Sequence, residues 1–249
     1  MLLDASGINV FYDTAQVLND VAFHIEKGEL VGLVGPNGAG KTMVMRRISG
    51  LIKWEKDILR GTRLGDITIE GNVIFNGEKI DNLSANEIAQ RGLILCPERG
   101  RPFRELNVFE NIMSGAYLCK DKKVIANNLD RVYTIFPILK VRAKQISGTL
   151  SGGERQQLAL ARSLMSEPKL LCIDEPSTGL APKLKLELFN HIKEIYKIGI
   201  SIFLSEQDIT FAFKLSNRNY LISAGKIIAE GSAEILLKDE IVRKTYLGV

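Results

Sequence analysis

Short and continuously apolar runs recur along the chain, and each is bounded by glycine or by polar residues. Such runs are typical of strands that are buried on both faces of a sheet. Helical patterns lie between them, and this alternation predicts an α/β fold with a mostly parallel sheet and helices on its faces. The runs that predict the strands of this sheet are Leu30–Val34, Leu93–Cys96, Leu170–Ile173 and Ile200–Leu204.

Segments near both ends of the chain predict further strands. Tyr220–Ser223 and Lys226–Ala229 flank Ala224-Gly225, which is typical of a hairpin turn. The early part of the chain is expected to form a separate strand-rich layer. Its strand patterns lie in Leu2–Tyr12, Val21–Ile25 and Val73–Phe75.

The middle of the chain is mainly helical in pattern. Apolar residues recur there at helical spacing in Val108–Leu118, Val124–Phe136 and Glu154–Ser166. The sequence therefore predicts one domain, 1–249, in which a helical subdomain, 84–166, is inserted into a catalytic α/β core, 1–83 and 167–249. Lys53–Thr68 is crowded with charges and has no clear periodicity, so we expect a solvated loop there, with a contact to a partner as the alternative.

Composition narrows the possible functions without naming one. The 249 residues include 33 basic and 29 acidic side chains, with no dense Lys/Arg run, so no nucleic-acid partner is expected. No apolar stretch reaches the roughly 20 residues of a membrane span, and the N-terminus lacks the pattern of a signal peptide. Cys96, Cys119 and Cys172 have no paired spacing and are expected to be buried, reduced thiols. We expect a cytosolic chain that acts at a membrane only through a partner.

A glycine-rich segment fits the Walker A pattern G-x-x-x-x-G-K-[ST], between a predicted strand and a helical pattern. Its residues are Gly35, Pro36, Asn37, Gly38, Ala39, Gly40, Lys41 and Thr42. Backbone N–H groups and the helix N-terminus would bind the phosphates of ATP. Lys41 would contact the β- and γ-phosphates, and the Thr42 hydroxyl would coordinate Mg²⁺. This motif alone predicts only a P-loop NTPase.

The apolar run at Leu170 ends in two adjacent acids, Asp174 and Glu175, which is the Walker B pattern. Unpaired buried charge is costly, so acids at the end of a buried strand need a reason. Asp174 can hold Mg²⁺ through water, and Glu175 can orient and polarise the attacking water. A strand that simply leaves the core for solvent is the alternative. With the phosphate loop upstream, the pair predicts triphosphate hydrolysis.

The segment Leu150–Gln156, LSGGERQ, resembles the signature motif of the ABC transporter ATPases. Ser151 and two glycines would expose N–H groups where a helix begins, and Ser151 with Glu154 also fits a capping box. The resemblance implies a P-loop NTPase with the ABC-type ATPase core. It further implies contacts to the ATP of a second subunit, across a head-to-tail dimer, from Ser151, Gly152, Gly153 and Glu154.

Other positions extend this resemblance over nearly the whole chain. Tyr12 stands where the family has an aromatic ring that stacks on adenine, and a half-buried strand tyrosine is the alternative. The segment Ser177–Leu180 resembles the family's D-loop, which bridges the two subunits, although an ordinary turn has the same pattern.

Glu98 and Gln207 depart from the usual family pattern. Glu98 lies where most members have the glutamine of the Q-loop, and its oxygens can still bind Mg²⁺ or its water. Gln207 lies at the position of the switch histidine and can donate a hydrogen bond to the γ-phosphate without carrying a titratable charge. Neither His24 nor His191 replaces that histidine by position, and both are expected to be structural or surface residues.

Glutamate and glutamine at these two positions resemble one branch of the family, the ATPases of branched-chain amino acid importers. The segments 96–101, 177–182 and the closing Tyr246-Leu247-Gly248 resemble that branch too. ATPases for urea, amides and lipid-related substrates are similar and stay as alternatives. Lys53–Thr68 is longer than the usual family connection, and its role stays open.

The resemblance implies an ATP-hydrolysing subunit with transmembrane permease subunits, a second ATP-binding subunit and a substrate-binding protein as partners. The second ATPase is either another copy or a sister chain, and the assembly is expected at the inner face of the cell membrane. Phe103–Asn111 is the expected docking surface. An ABC-type ATPase that acts on DNA or ribosomes is the alternative function. Members that resemble DNA-repair proteins have a long coiled coil between the two Walker motifs, and those that resemble translation factors have two such domains. We expect neither feature from this sequence.

Overall fold

Two β-sheets and the helices packed on them make up residues 1–60 and 65–239, the part of the chain that the computed structural model describes. The strands are β1 Leu3–Tyr12, β2 Ala15–Ile25, β3 Leu30–Val34, β4 Ile67–Phe75, β5 Glu78–Lys79, β6 Leu93–Cys96, β7 Leu170–Asp174, β8 Ser201–Glu206, β9 Arg218–Ser223 and β10 Lys226–Gly231. The helices are α1 Lys41–Ile48, α2 Leu51–Leu59, α3 Ala85–Gln90, α4 Val108–Ser114, α5 Lys122–Ile135, α6 Pro137–Val141, α7 Gly152–Leu164, α8 Pro182–Lys197, α9 Ile209–Leu215 and α10 Ala233–Leu236.

The larger sheet has the strand order β10-β9-β3-β8-β7-β6. β3, β6, β7, β8 and β9 run parallel to one another, and they include all four strands that the apolar runs predict. β8 continues to Glu206, beyond the predicted end at Leu204. β9 and β10 form the antiparallel hairpin that the sequence predicts around Ala224-Gly225.

The register of the parallel strands brings three segments of the chain to one edge of the larger sheet. Val34 at the end of β3 pairs with Glu206, and Asp174 at the end of β7 pairs with Ser205. The phosphate loop, the two Walker B acids and the segment after β8 therefore leave the sheet side by side. Ligands of open α/β sheets bind at this carboxyl edge.

The strand-rich N-terminal layer is confirmed as a smaller antiparallel sheet in the order β2-β1-β4-β5. It packs on one face of the larger sheet, where the rings of Phe23 and Phe203 stack with centroids 5.0 Å apart. The other face of the larger sheet contacts helices, and Ile202 and Leu204 belong to that second core. Successive residues of β8 thus point into two different cores, which is why its sequence is continuously apolar.

The helical patterns in the middle of the chain form α4, α5 and α7, with the short α6 between α5 and α7. Segment 84–166 also contains α3 and β6, and β6 pairs with β7 at the edge of the larger sheet. Part of this segment is therefore built into the sheet. The division of the domain at residues 84 and 166 stays a prediction.

The expectation of a loop over Lys53–Thr68 is wrong for most of that stretch, since α2 covers its start and β4 begins at Ile67. α2 buries Ile52 and carries an ion pair between Lys53 and Asp57, one helical turn apart at 2.7 Å. Residues 61–64 of this stretch and the closing segment 246–248 lie outside the described residues.

Within residues 1–60 and 65–239, no helix combines the length and the apolar character needed to cross a membrane. Cys96 and Cys172 are buried free thiols as expected, and burial raises the pKa of Cys96 to about 12. Cys119 is only half-buried because it lies in the turn before α5, so the expectation of burial is wrong there. His191 on α8 packs against the ring of Phe136, which follows α5, and this agrees with a structural role.

Candidate functional site: a phosphate loop facing two acids

The phosphate loop connects β3 to α1, and its shape depends on glycine at two points. A Cβ on Gly35 would lie 2.3 Å from the carbonyl oxygen of Ile222, so only glycine allows this close approach. Gly40 caps the N-terminus of α1 with φ at 107°, a left-handed conformation that favours glycine. The loop thereby directs the first N–H groups of α1 to the carboxyl edge of the sheet, where they can bind an anion.

Lys41 is the first residue of α1, and its side chain folds back over the loop with only 2% of it exposed. Its Nζ donates to the carbonyl oxygens of Gly35 at 2.8 Å and Pro36 at 2.9 Å. The same Nζ lies 2.9 Å from Oε1 of Glu175. The buried ammonium is therefore fully bonded and joins the phosphate loop to the turn after β7.

Asp174 is buried at the end of β7 beside the helix that follows the phosphate loop. Ser205 donates from Oγ to Oδ1 of Asp174 at 2.6 Å, and Thr42 also hydrogen-bonds to this carboxylate. Burial raises the pKa of Asp174 above its usual range, and the charges of Glu175 and Glu98 act in the same direction. This pocket of oxygen atoms favours a cation next to Asp174.

Glu175 follows Asp174 with a backbone φ of 40°, which is uncommon for a residue with a side chain. Its N–H donates to the carbonyl oxygen and to Oγ of Ser205, both at 3.1 Å. Thr178 donates from Oγ1 to Oε2 of Glu175 at 3.1 Å. These bonds hold the side chain of Glu175 between Lys41 and the loop that follows.

The structure brings Glu98 near this cluster, since its charge acts on Asp174. Glu98 is partly exposed and accepts from Nε of Arg99 at 3.1 Å. Gln207 is exposed just after β8 and lines a cavity of about 410 Å³ together with Ser177 and Thr178. Both residues that depart from the family pattern therefore lie at the carboxyl edge of the sheet.

Glu206 is a residue of this region that the sequence analysis missed. It is the last residue of β8, and only 1% of its side chain is exposed. Its two carboxylate oxygens accept from the N–H of Ser177 at 3.0 Å and from the Oγ of Ser177 at 2.8 Å. The available signal was the same one that identified Asp174, an apolar strand that ends in an acid.

Tyr12 lies at the end of β1, where its hydroxyl donates to Oε2 of Glu55 at 2.9 Å and lies 3.8 Å from the sulfur of Met43. Arg46 donates to the same oxygen of Glu55 at 2.8 Å. Burial and the bond to Glu55 raise the pKa of Tyr12 to about 12. Sequence reasoning missed Glu55 because it took this part of α2 for a loop.

The signature segment forms the start of α7, with Ser151 as its N-cap. Ser151 Oγ accepts from the N–H of Glu154 at 3.3 Å, and Glu154 Oε2 accepts from the N–H of Ser151 at 2.9 Å. Arg142 pairs with Oε1 of Glu154 at 2.9 Å. In the described part of the chain, no hydrogen bond or ion pair joins Ser151 or Glu154 to the phosphate loop.

A groove of about 650 Å³ lies beside the loop that contains Glu98. Phe103 and Tyr117 line it and are 52% and 87% exposed. Phe103–Asn111, the expected docking surface, is exposed only in part. Asn111 is fully buried and donates to the carbonyl oxygen of Phe103 at 3.0 Å, so it supports the surface from inside. The expectation is wrong for Asn111 and for the buried Val108.

The glycine loop between β3 and α1, with two acids on a nearby strand, defines a P-loop nucleotide-binding protein. A sequence model of the family described as ABC transporter matches residues 18–178. The chain belongs to the ABC transporter family, and it is an ATP-binding and ATP-hydrolysing subunit of that family.

Similar proteins cover the chain from end to end. The high-affinity branched-chain amino acid transport ATP-binding protein BraG of Pseudomonas aeruginosa is 36% identical over 99% of this chain and 100% of its own length. The lipopolysaccharide export system ATP-binding protein LptB of Haemophilus influenzae is 31% identical over 99% of this chain and 97% of its own length. A crystal structure of an ABC transporter ATP-binding cassette in its ADP conformation superposes with a TM-score of 0.81 at 26% identity, covering 100% of this chain and 99% of that one.

Proposed function

We propose that this chain binds ATP with Mg²⁺ and drives an importer of branched-chain amino acids. The observation that carries the substrate assignment is the 36% identity to BraG over essentially the full length of both chains. Glu98 and Gln207 support it, because this pair of residues resembles the same branch of the family.

Mg²⁺ fits the oxygen donors at the carboxyl edge of the sheet. The Thr42 hydroxyl and the buried Asp174 carboxylate already bond to each other, and the charge of Glu98 acts on Asp174. Among the described residues there is no group of three or more acidic, His or Cys side chains that could hold a metal. Mg²⁺ in nucleotide sites is typically held by one or two protein oxygens together with phosphates and water. When bound, it would neutralise charge on the phosphates.

The residues that would catalyse hydrolysis lie around Lys41. Lys41 would turn from Glu175 to the β- and γ-phosphates, and the carboxylate of Glu175 would then accept a hydrogen bond from the attacking water. The water oxygen bonds to the γ-phosphorus as the bond to the β-phosphate oxygen breaks, and ADP leaves with the electron pair of that bond. The proton of the water would pass to Glu175. Gln207 would donate a hydrogen bond to the γ-phosphate. Ser151 and the N–H groups that follow it would bind the γ-phosphate of a partner subunit's ATP.

Coupling to transport requires a membrane partner, and the groove beside Phe103 is the surface we assign to it. Phe103 and Tyr117 supply exposed aromatic area, and Arg162 beneath them donates to the carbonyl oxygen of Gly100 at 3.1 Å. A permease segment in this groove would contact the loop that contains Glu98. The chain would then work at the inner face of the cell membrane, as a dimer with another copy or with a sister ATPase and with a substrate-binding protein outside.

A transport assay in vesicles tests the identity of the substrate. The chain, together with the permease subunits that co-purify with it, is reconstituted in vesicles with the ATPase facing the added ATP. We expect ATP-dependent movement of labelled leucine, and none with the Glu175→Gln variant.

The second candidate substrate is lipid-related, because LptB is 31% identical over nearly the whole chain. Movement of a labelled lipid or of urea without leucine would overturn the amino-acid assignment.

A further inference from the structure

We propose that Glu206 is a positioning residue that holds the Ser177–Leu180 loop, and through this loop the carboxylate of Glu175, in place for hydrolysis. The proposal rests on the proposed catalytic role of Glu175. This role of Glu206 differs from that of its neighbour Gln207, which would donate a hydrogen bond to the γ-phosphate.

The first support is the burial of Glu206 together with two hydrogen bonds that its carboxylate accepts from one residue of the Ser177–Leu180 loop. Only 1% of its side chain is exposed, and both carboxylate oxygens accept from Ser177, at 3.0 and 2.8 Å. A buried carboxylate is costly unless it is hydrogen-bonded. The backbone of Asp208 also hydrogen-bonds to this carboxylate, but Asp208 follows β8 and not β7. Moving Ser177 would therefore remove both bonds that Glu206 accepts from the loop.

The second support is the short path from Ser177 to the reacting group. Ser177 is followed by Thr178, whose Oγ1 donates to Oε2 of Glu175 and whose N–H donates to the Glu175 carbonyl oxygen at 3.3 Å. Glu175 itself has the uncommon φ of 40°. An uncommon backbone conformation persists only where its surroundings fix it. The bonds that Ser177 donates to Glu206 fix the far side of this turn.

The third support is that Glu206 also contacts the phosphate loop. Its carbonyl oxygen accepts from the N–H of Gly35 at 3.2 Å. One residue thus bonds the first residue of the phosphate loop through its backbone and the Ser177–Leu180 loop through its side chain. A change in the protonation state of the Glu206 carboxyl group is therefore expected to alter the distance between the bound triphosphate and Glu175.

The charges around Glu206 are mainly unfavourable to its ionised form. Burial raises the pKa of Glu206 to about 7, and the charge of Asp208 acts in the same direction. The bonds from Ser177 and from the backbone of Asp208 lower this pKa. Lys185 on α8 lines the same cavity, but it is paired with Asp208 at 3.1 Å. At the start of α1, Lys41 is paired with Glu175. No charged partner is therefore left for Glu206 among these groups.

The state of the carboxyl group determines how it bonds to Ser177. Above about pH 7 the ionised Glu206 accepts both bonds from Ser177. Below that pH the group is protonated, and one of its oxygens becomes a donor. The loop then loses one of its two acceptors, so turnover should decrease as the pH falls through about 7. Nucleotide affinity, which depends on the phosphate loop, should stay nearly constant.

The test is the pH dependence of turnover in the Glu206→Gln variant of the full chain. Glutamine has the shape of the protonated carboxyl group and does not titrate. We expect kcat at pH 8 to fall by about 10- to 100-fold, as is typical of misplaced catalytic groups, with ATP affinity changed less than about twofold. We also expect the decrease of turnover near pH 7 to disappear. The matched control is Glu234→Gln, because Glu234 is exposed and pairs with Lys238 at 3.1 Å on the surface.

Ser177→Ala provides a second measurement that does not alter the buried charge. It removes the Oγ donor and should lower kcat in the same direction, and adding it to Glu206→Gln should cost little more, because both changes act on one contact. Wild-type turnover with an unchanged pH profile in Glu206→Gln would overturn the proposal, as would independent losses in the double variant. Normal turnover of Glu175→Gln, measured in parallel, would instead refute the catalytic assignment of Glu175.

Discussion

The ammonium of Lys41 lies 2.9 Å from the carboxylate of Glu175, so the lysine of the phosphate loop is paired with the acid that we assign to water activation. Both side chains are largely buried, and each compensates the charge of the other. A triphosphate that binds Lys41 competes with Glu175 for this contact. Nucleotide binding would therefore also release the carboxylate of Glu175 to bond to water, which links occupancy of the site to readiness for hydrolysis.

Lys41→Ala removes the cation of this pair, and we expect two effects. ATP affinity should fall by about 10-fold or more, because a charged hydrogen bond to phosphate is lost. The free energy of unfolding should fall by up to about 3 kcal/mol, because Glu175 is left without its partner. Titration with a fluorescent nucleotide and urea unfolding measure the two effects. The control is Lys197→Ala, since the pair of Lys197 with Glu194 is exposed. Normal nucleotide affinity in Lys41→Ala would refute the phosphate-loop assignment.

Tyr12 is predicted to stack on adenine while Glu55 holds its hydroxyl. Tyr12→Ala should weaken ATP binding by about 1–3 kcal/mol, which is the usual worth of one base on an aromatic ring. Tyr12→Phe keeps the ring and loses only the hydrogen bond to Glu55, so its affinity should lie near that of the wild type. Isothermal titration with ATP and with inorganic triphosphate distinguishes the base from the phosphates. Equal loss for both ligands, or none for ATP, would contradict stacking.

The dimeric site is tested by mixing two inactive variants. Ser151→Asp keeps a good N-cap for α7 but places a negative charge where the partner's phosphate would bind. Mixed with Lys41→Ala, it should restore activity, because a mixed dimer retains one intact site. Random exchange between copies predicts recovery to about a quarter of wild-type turnover per chain, since half of the dimers are mixed. If the mixture stays as inactive as each variant alone, the chain does not form such a homodimer.

Gln207 carries no titratable charge, so it should contribute no pH dependence of its own near neutrality. A Gln207→His variant introduces an imidazole with an ordinary pKa of about 6.5 and should add a new step to the pH–rate profile. The comparison is made in the Glu206→Gln background, which removes the step that we assign to Glu206. An unchanged rate and profile in Gln207→His would show that this position takes no part in turnover.

The strands of the larger sheet could be predicted because they are buried on both faces, as Ile202 and Phe203 illustrate by packing into different cores. α2 was missed although it is amphipathic, with Leu51, Ile52 and Leu59 on one side. The predicted loop began at Lys53, inside this helix, and so separated the two ends of its apolar face.

The local motifs of the site could also be predicted from the sequence. A phosphate loop is formed by consecutive residues, such as Gly40 and Lys41, so its pattern is visible without the fold. The strand that ends in Glu206 gave a signal for a functional acid, but the roles of Glu55 and Glu206 could not be predicted, because they depend on partners far along the chain. Glu55 meets Tyr12 from 43 residues away, and Glu206 meets Ser177 from 29 residues away. Only the folded sheet and the packing of α2 bring these pairs together.

The central claim is that Glu175 activates the water that cleaves ATP bound over Lys41. The most direct measurement is phosphate release by Glu175→Gln with Mg²⁺ and ATP, with binding and dimerisation recorded on the same sample. We expect ATP affinity equal to or tighter than that of the wild type, because the competitor for Lys41 is weakened. Phosphate release should fall by about 100- to 10,000-fold, in the range of a lost general base, and ATP-bound dimers should accumulate. Phosphate release at the wild-type rate would contradict the account.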